Sequence, residues 1–119
     1  MKYLITLIIA FCLAYNLVYG ATDEEIAQAI YMAEGAELAS KPYGILSVPC
    51  DSKESCKVIC LNTIRNNRKR YADYGYKDYD TYLEFLASRY APINCSNDNG
   101  TNQFWLKNVL FYLGRSKSN

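Results

Sequence analysis

The amino-terminal segment constrains this chain most, because it decides how much of the sequence is available to fold. Met1-Lys2 provide a positive charge, and the stretch 3–18 that follows is almost entirely apolar. Residues 18–20 (Val-Tyr-Gly) have the sizes that a signal peptidase accepts before its cleavage point. We therefore expect a signal peptide over residues 1–20. About 99 of the 119 residues remain, which suits one small domain over 21–119 and is too few for two.

The predicted leader also indicates where the protein works. Its apolar stretch is short for a stable membrane helix, which needs roughly 20 apolar residues. We therefore expect a periplasmic or secreted protein, with no stable membrane span once the leader is cleaved. The alternative is an uncleaved anchor that keeps the domain at the membrane.

Four cysteines remain after the predicted cleavage: Cys50, Cys56, Cys60 and Cys95. An even number of cysteines in a short exported chain indicates two disulfides. Four cysteines allow three pairings, and we expect Cys60–Cys95 to join two helical segments while Cys50–Cys56 closes a small loop. A cysteine-rich zinc site is the rival interpretation, but the spacings lack its paired CxxC knuckles.

The composition excludes several classes of function. The chain contains no histidine, which excludes a Ser-His-Asp or Cys-His catalyst and a histidine-ligated metal. Basic residues number 13 and acidic residues 12, a balance that argues against a nucleic-acid binder relying on phosphate neutralisation. We predict no cofactor and no metal. Any general acid must then be a carboxyl, a tyrosine or a lysine.

Capping residues and apolar spacing predict a mostly α fold with at most a short β segment. Thr22 and Glu25 form a capping-box pattern at the start of the first helix. Residues 45–48 (Ile-Leu-Ser-Val) are short and bounded by turn residues, which predicts a strand or a buried extended segment. Four helices are expected, of which the first runs from Thr22 to about Glu34 and the last from about Thr101 to Gly114. The second runs from about Ser52 to Tyr74, is capped by Asp51 with Glu54, and buries Val58, Leu61 and Ile64. The third begins at Asp80 and is ended by Pro92.

Glu34 is the candidate residue for chemistry, because it lies in the last turn of the first predicted helix. On a helical wheel it follows Ile30 by four residues and Ile26 by eight, which places it at the edge of the apolar stripe. Partial burial there would raise the pKa of the carboxyl, as a general acid requires near neutral pH. The wheel by itself favours the alternative, a solvated glutamate at a frayed helix end.

Several short motifs follow Glu34 in order. They are residues 44–48 (Gly-Ile-Leu-Ser-Val), 61–64 (Leu-Asn-Thr-Ile), 82–90 (a Tyr-Leu helix), 89–92 (Arg-Tyr-Ala-Pro) and 105–109 (Trp-Leu-Lys-Asn-Val). This order resembles the lysozyme-like superfamily, in which soluble lytic transglycosylases place a helix-terminal glutamate before a Gly-Leu-Met-Gln-Ile/Val segment. It is also similar to the bacterial glucosaminidase family, whose Phe-Arg-x-Tyr motif is matched by residues 71–74 (Tyr-Ala-Asp-Tyr). The resemblance covers residues 24–109.

The resemblance implies a small lysozyme-like helical domain that cleaves the glycan strands of peptidoglycan. Glu34 takes the position of the catalytic general acid and base. The candidates for substrate binding, chosen by their positions alone, are Tyr43, Ser47, Asn62 and Tyr90.

Two departures from the family pattern leave a second function open. Ser47 replaces a glutamine, and Gly35-Ala36 follow the glutamate where the family has a serine. The segment after Val48 is also too short for a β lobe that carries a second catalytic carboxylate. The alternative is therefore a non-catalytic, secreted, small helical protein that binds cell-wall glycan or a protein partner, and the sequence identifies no such partner.

The intact mass of the exported protein checks the predicted cleavage. We expect a mature chain that begins at Ala21, because residues 18–20 satisfy the steric requirements of a signal peptidase. A mass that still includes residues 1–20 would contradict this prediction and favour the uncleaved anchor.

Overall fold

Four α-helices carry the fold of the computed structural model, which describes residues 20–118 and their side chains as far as residue 115. The predicted signal peptide lies outside the described residues except for Gly20. The helices are α1 (Asp23–Ala33), α2 (Lys53–Asp73), α3 (Tyr82–Tyr90) and α4 (Trp105–Ser118). Short 3-10 turns occupy Ala36–Leu38, Pro42–Gly44, Gly75–Lys77 and Asn102–Phe104, and residues 20–118 contain no strand. The mostly α class predicted from the sequence is confirmed.

Helix α1 lies at the centre of the fold and is capped as predicted. Thr22 Oγ1 accepts the N–H of Glu25, and the Glu25 carboxylate accepts the N–H of Thr22. Ile26 and Ile30 are fully buried, and α1 packs against α4, α2 and the 42–44 turn. The capping box and the apolar stripe therefore both operate as the sequence indicates.

Hydroxyl residues cap α2 and α3, where the sequence analysis assigned aspartates. The N-cap of α2 is Ser52, whose hydroxyl accepts the N–H of Ser55, and Asp51 lies outside the helix. The N-cap of α3 is Thr81 and not Asp80. Serine, threonine and aspartate have similar capping preferences, so the sequence alone did not decide between neighbouring candidates.

One residue of the predicted apolar face of α2 points to solvent. Leu61 and Ile64 are buried as expected, but Val58 is 58% exposed. The fully buried residues Cys56 and Cys60 lie two positions before and after it. Because successive residues are about 100° apart on a helix, two positions place Val58 on the far side from both cysteines.

A single arginine joins three of the helices. The Arg68 guanidinium of α2 pairs with Asp23 at the start of α1 and donates to the Ala21 carbonyl at 3.0 Å. It also lies 4.5 Å from the ring centroid of Tyr82 in α3. The Tyr82 hydroxyl in turn donates to the Ile64 carbonyl of α2 at 2.7 Å. This basic residue of α2 therefore serves the packing of the helices.

The 45–48 segment is not a strand and is mostly exposed. Ile45 is buried, but Leu46 is 62% exposed and Val48 is 44% exposed. Since residues 20–118 contain no strand, this segment has no partner with which to form a ladder. The prediction of a strand is wrong, and that of a buried extended segment holds only for Ile45.

Helix α4 extends beyond its predicted end at Gly114 and continues to Ser118. A glycine weakens a helix by about 1 kcal/mol but ends it only where the chain takes up a left-handed conformation. Val109 and Leu113 are fully buried in the core. Their packing maintains the helix through the glycine.

The prediction of two disulfides is wrong for the described residues, because only Cys50–Cys56 is bonded. That bond closes a small loop at the start of α2, as expected, with a Cα–Cα distance of 5.2 Å. Cys60 is a free thiol buried in the core beside the Tyr90 hydroxyl. Cys95 is a free, half-buried thiol in the loop that follows α3. These two thiols therefore lie in different parts of the fold, one in the core and one in a loop.

Thiol counting checks this redox assignment in protein that lacks residues 1–20. We expect two reactive thiols in denaturant and only Cys95 to react readily in the native state. Cys60 is fully buried, and burial raises the pKa of its thiol to about 12, which suppresses the reactive thiolate. Full reduction provides the control, because it should expose all four cysteines. A denatured count of zero would instead indicate a second disulfide.

Candidate active site

A cleft of about 620 Å³ opens beside the carboxyl end of α1. Its walls come from Glu34, parts of the 39–47 segment, one face of α2, the end of α3 and the 91–102 loop. This volume lies within the usual range for small-ligand sites. Among the lining residues of the described chain, Glu34 is the only acid, while Lys41 and Arg89 supply positive charge.

Glu34 places a half-buried carboxyl in this cleft. Its main-chain N–H donates to the Ile30 carbonyl at 2.9 Å, so the residue ends α1 as its C-cap. Burial raises the pKa of the carboxyl, and the hydrogen bond from Trp105 partly offsets that rise. Glu34 is therefore not the fully solvated side chain of a frayed helix end.

Trp105 holds one oxygen of this carboxyl. Its indole Nε1 donates to Glu34 Oε1 at 3.0 Å, which joins the end of α1 to the start of α4. The tryptophan is 6% exposed, so packing of the core fixes the direction of the donor. Within residues 20–118 no second hydrogen bond reaches the carboxyl, so Oε2 has no hydrogen-bond partner there.

Gly44 covers another side of the carboxyl. A Cβ atom at this position would lie 2.4 to 2.8 Å from the carboxyl atoms of Glu34, well inside van der Waals contact. The main chain of Gly44 also has a φ of +68°, a region that side chains disfavour. Both observations explain the glycine, because it lets the backbone lie directly against the acid.

Tyr90 of α3 touches both of these neighbours of Glu34. Its ring stacks on Trp105, with centroids 5.1 Å apart and planes inclined by 26°. Its hydroxyl donates to the main-chain carbonyl of Tyr43, the residue before Gly44. The indole and the glycine backbone that contact the acid are therefore connected through one side chain.

The structure brings some of the predicted binding residues to the cleft and leaves others away from it. Ser47 and Tyr90 line the cleft. Tyr43 is 1% exposed, so its ring belongs to the core. Asn62 is exposed on α2 but is not among the lining residues, whereas the next residue, Thr63, is. One position on a helix changes the direction of a side chain by about 100°, and this separates Asn62 from Thr63.

The sequence analysis assigned no role to the cleft residues Lys41, Arg89 and Asn102, nor to Trp105, which contacts Glu34 from the core. Trp105 is the only tryptophan of the chain and begins the 105–109 motif. The sequence analysis used this motif for the family resemblance but assigned no role to its tryptophan. Its partner Glu34 lies 71 residues earlier. No local pattern specifies a contact over that separation, since it arises from the packing of α4 against α1.

Asp98 organises the loop that forms the far wall of the cleft. Its carboxylate accepts main-chain N–H groups from Asn94 at 2.7 Å, Gly100 at 2.8 Å and Asn102 at 3.2 Å. These hydrogen bonds, that of Asn94 first, lower the pKa of Asp98. The acid therefore stabilises a wall that has no regular secondary structure of its own.

Within residues 20–118, no helix has the length and apolar character that crossing a bilayer requires. The same residues hold no cluster of three cysteine or acidic side chains suited to a metal ion. Comparison of the chain with known protein families, with curated proteins and with solved structures finds no match.

Replacing Glu34 by glutamine should stabilise the protein increasingly as the pH rises. A raised pKa means that the folded state binds more protons than the unfolded state above the ordinary value of 4.5. The wild type therefore loses stability as the pH increases from there to the folded pKa. Glutamine does not titrate and still accepts the indole hydrogen bond. Urea unfolding of both proteins between pH 3 and 8 measures the difference.

Ser47→Ala provides the control, because it changes the same cleft without removing a titrating group. Its difference from the wild type should be constant with pH. A Glu34→Gln difference that is equally constant would contradict the burial of the carboxyl.

Proposed function

We propose that this chain is an exported enzyme that cleaves the glycan strand of peptidoglycan at the β-1,4 bond beside N-acetylmuramic acid. The observation that carries the proposal is the position of Glu34. Its carboxyl lies half-buried in a cleft, holds a raised pKa and keeps one oxygen without a hydrogen bond from the described residues. These are the properties of a general acid that must be protonated near neutral pH.

The presence of one acid in the cleft favours the chemistry of a lytic transglycosylase. Glu34 first donates its proton to the glycosidic oxygen, and the bond from that oxygen to C1 of the muramic acid breaks. The resulting carboxylate then takes the proton of the C6 hydroxyl of the same sugar. The C6 oxygen bonds to C1 and closes a 1,6-anhydro ring, so that one carboxyl serves both steps.

The mechanisms with two carboxyls fit this cleft less well. They require a second carboxyl about 5 to 9.5 Å from the first, as a nucleophile or as a base for water. Glu37 precedes the 39–47 segment in sequence, Asp51 and Glu54 follow it, and all three are exposed. None of them is among the residues that line the cleft.

The polar groups of the cleft suit a sugar ligand. Ser47 and Thr63 offer hydroxyls, and Asn102 lies at the opposite wall with its amide held by the Pro92 carbonyl at 2.8 Å. Hydrogen bonds of this kind orient a sugar and strengthen as charge develops in the transition state. The disulfide Cys50–Cys56 supports an oxidising, exported setting.

A second candidate function, binding of wall glycan without cleavage, is favoured by one feature of the site. Ser47 lines the cleft where the lytic transglycosylases, which the chain resembles, have a glutamine. A serine reaches less far than a glutamine and makes fewer hydrogen bonds. The same cleft would then hold the glycan with no turnover.

Digestion of purified peptidoglycan, followed by mass analysis of the released muropeptides, tests the proposed enzyme. We expect products that are lighter than hydrolysed ones by the mass of one water, because an anhydro ring forms without water. Glu34→Gln should reduce cleavage by at least about 100-fold, within the usual contribution of a general acid. Glutamine preserves the shape of the side chain but transfers no proton.

Glu54→Gln is the matched control, because it makes the same chemical change on an exposed glutamate outside the cleft. It should retain wild-type cleavage. An active wild type with an equally active Glu34→Gln variant would refute the role of Glu34. A wild type that binds glycan but never cleaves it would favour the binding function, and reducing-end products would identify a hydrolase.

A further inference from the structure

The Glu34 carboxyl is held by two neighbours that belong to separate parts of the chain. The Trp105 indole comes from the start of α4 and donates to Oε1. The main chain of Gly44 comes from the Pro42–Gly44 turn and lies against the carboxyl closely enough to exclude a Cβ atom. Burial of the carboxyl raises its pKa, and the hydrogen bond from the indole lowers it.

The turn that carries Gly44 has a backbone conformation that neighbouring groups must hold in place. Both Tyr43 and Gly44 have left-handed main-chain conformations, with φ values of +62° and +68°. For a tyrosine this conformation is unfavourable, and it persists only when neighbouring groups hold it. The Tyr90 hydroxyl supplies such a restraint, because it donates to the Tyr43 carbonyl.

The same tyrosine restrains the indole. Its ring is stacked on the Trp105 ring at a centroid distance of 5.1 Å, and stacked pairs of this kind add to the stability of a core. The rest of the Tyr90 surroundings also leave its hydroxyl little freedom, since the sulfur of Cys60 lies 3.7 Å away. The hydroxyl is therefore occupied inside the protein and is poorly placed to bind a sugar.

We propose that Tyr90 is a positioning residue, which holds the Trp105 indole and the Gly44 main chain together around the Glu34 carboxyl. This replaces the substrate-binding role that the sequence suggested for Tyr90. The part of the inference that concerns kinetics rests on the proposed enzymatic function. The part that concerns the environment of Glu34 does not, because it is measured in the absence of substrate.

Direct titration of Glu34 in Tyr90→Phe tests the inference. Phenylalanine keeps the stacked ring and removes only the hydroxyl, which leaves the Tyr43 carbonyl without its donor. The turn should then relax, admit water to the carboxyl and move the pKa of Glu34 downward, toward its ordinary value. Nuclear magnetic resonance of glutamate labelled with ¹³C at Cδ follows the titration, and the Glu34 signal is the one absent from Glu34→Gln.

Tyr82→Phe is the matched control, because the Tyr82 hydroxyl also donates to a main-chain carbonyl, that of Ile64, at 2.7 Å. Tyr82 is buried in the core, whereas Tyr90 is half-buried, and Tyr82 does not line the cleft. The two variants should lose comparable stability, whereas only Tyr90→Phe should change the Glu34 titration. Equal titration curves in the two variants, or an unchanged curve in Tyr90→Phe, would overturn the inference.

Trp105→Phe gives an independent measurement that remains available if Tyr90→Phe does not fold. It preserves an aromatic partner for Tyr90 but removes the indole donor. Because that donor lowers the pKa of Glu34, its loss should move the titration upward, opposite to the effect of Tyr90→Phe. An unchanged titration would mean that the indole does not control the acid, and would also overturn the inference.

Kinetics on peptidoglycan separate positioning from substrate binding. A misplaced acid should reduce kcat of Tyr90→Phe by about 10- to 100-fold relative to Tyr82→Phe, with the alkaline limb of the pH profile shifted to lower pH. An increase in KM with unchanged kcat would instead assign Tyr90 to the substrate and overturn the inference. If the wild type cleaves no glycan, the proposed function fails while the titrations still decide the role of Tyr90.

Discussion

The hydrogen bond from Trp105 to Glu34 joins the end of α1 to the start of α4, and the geometry of the cleft depends on it. Burying a carboxyl raises its pKa, because the charged form loses hydration. The indole returns part of that loss by binding one oxygen. The net effect is a carboxyl that is easier to protonate than that of an ordinary glutamate, and the indole holds this carboxyl in one orientation. Because Trp105 is buried in the core, the direction of this donor is fixed.

The described chain builds its cleft without a sheet, and this shapes the chemistry that we propose. One wall is the 39–47 segment, whose turn depends on Gly44, and the other is a loop that Asp98 holds by accepting main-chain N–H groups. Neither wall carries a second acid into the cleft. A mechanism in which one carboxyl serves first as acid and then as base is therefore the simplest match to these residues.

Local patterns predicted the helices well and their contacts less well. The Thr22–Glu25 capping box could be read from four consecutive residues, because both hydrogen bonds join groups three positions apart. By contrast, Val58 fits an apolar stripe with Leu61 but is exposed, since the cysteines at positions 56 and 60 occupy the core instead. The count of cysteines likewise suggested two disulfides, whereas bonding requires two sulfurs to meet in space. Only Cys50 and Cys56 do so among the described cysteines.

The sequence by itself determined the helical class, the absence of histidine chemistry and the choice of Glu34 as the candidate acid, because these follow from composition and from spacing within one helix. The tertiary structure decided what surrounds that acid. The indole lies 71 residues away, and the Tyr90 hydroxyl reaches a carbonyl 47 residues away. Such contacts arise when separate helices bury their apolar faces together, and no local pattern records them. The same packing turned Tyr43 and Asn62 away from the cleft and placed the Trp105 indole against Glu34.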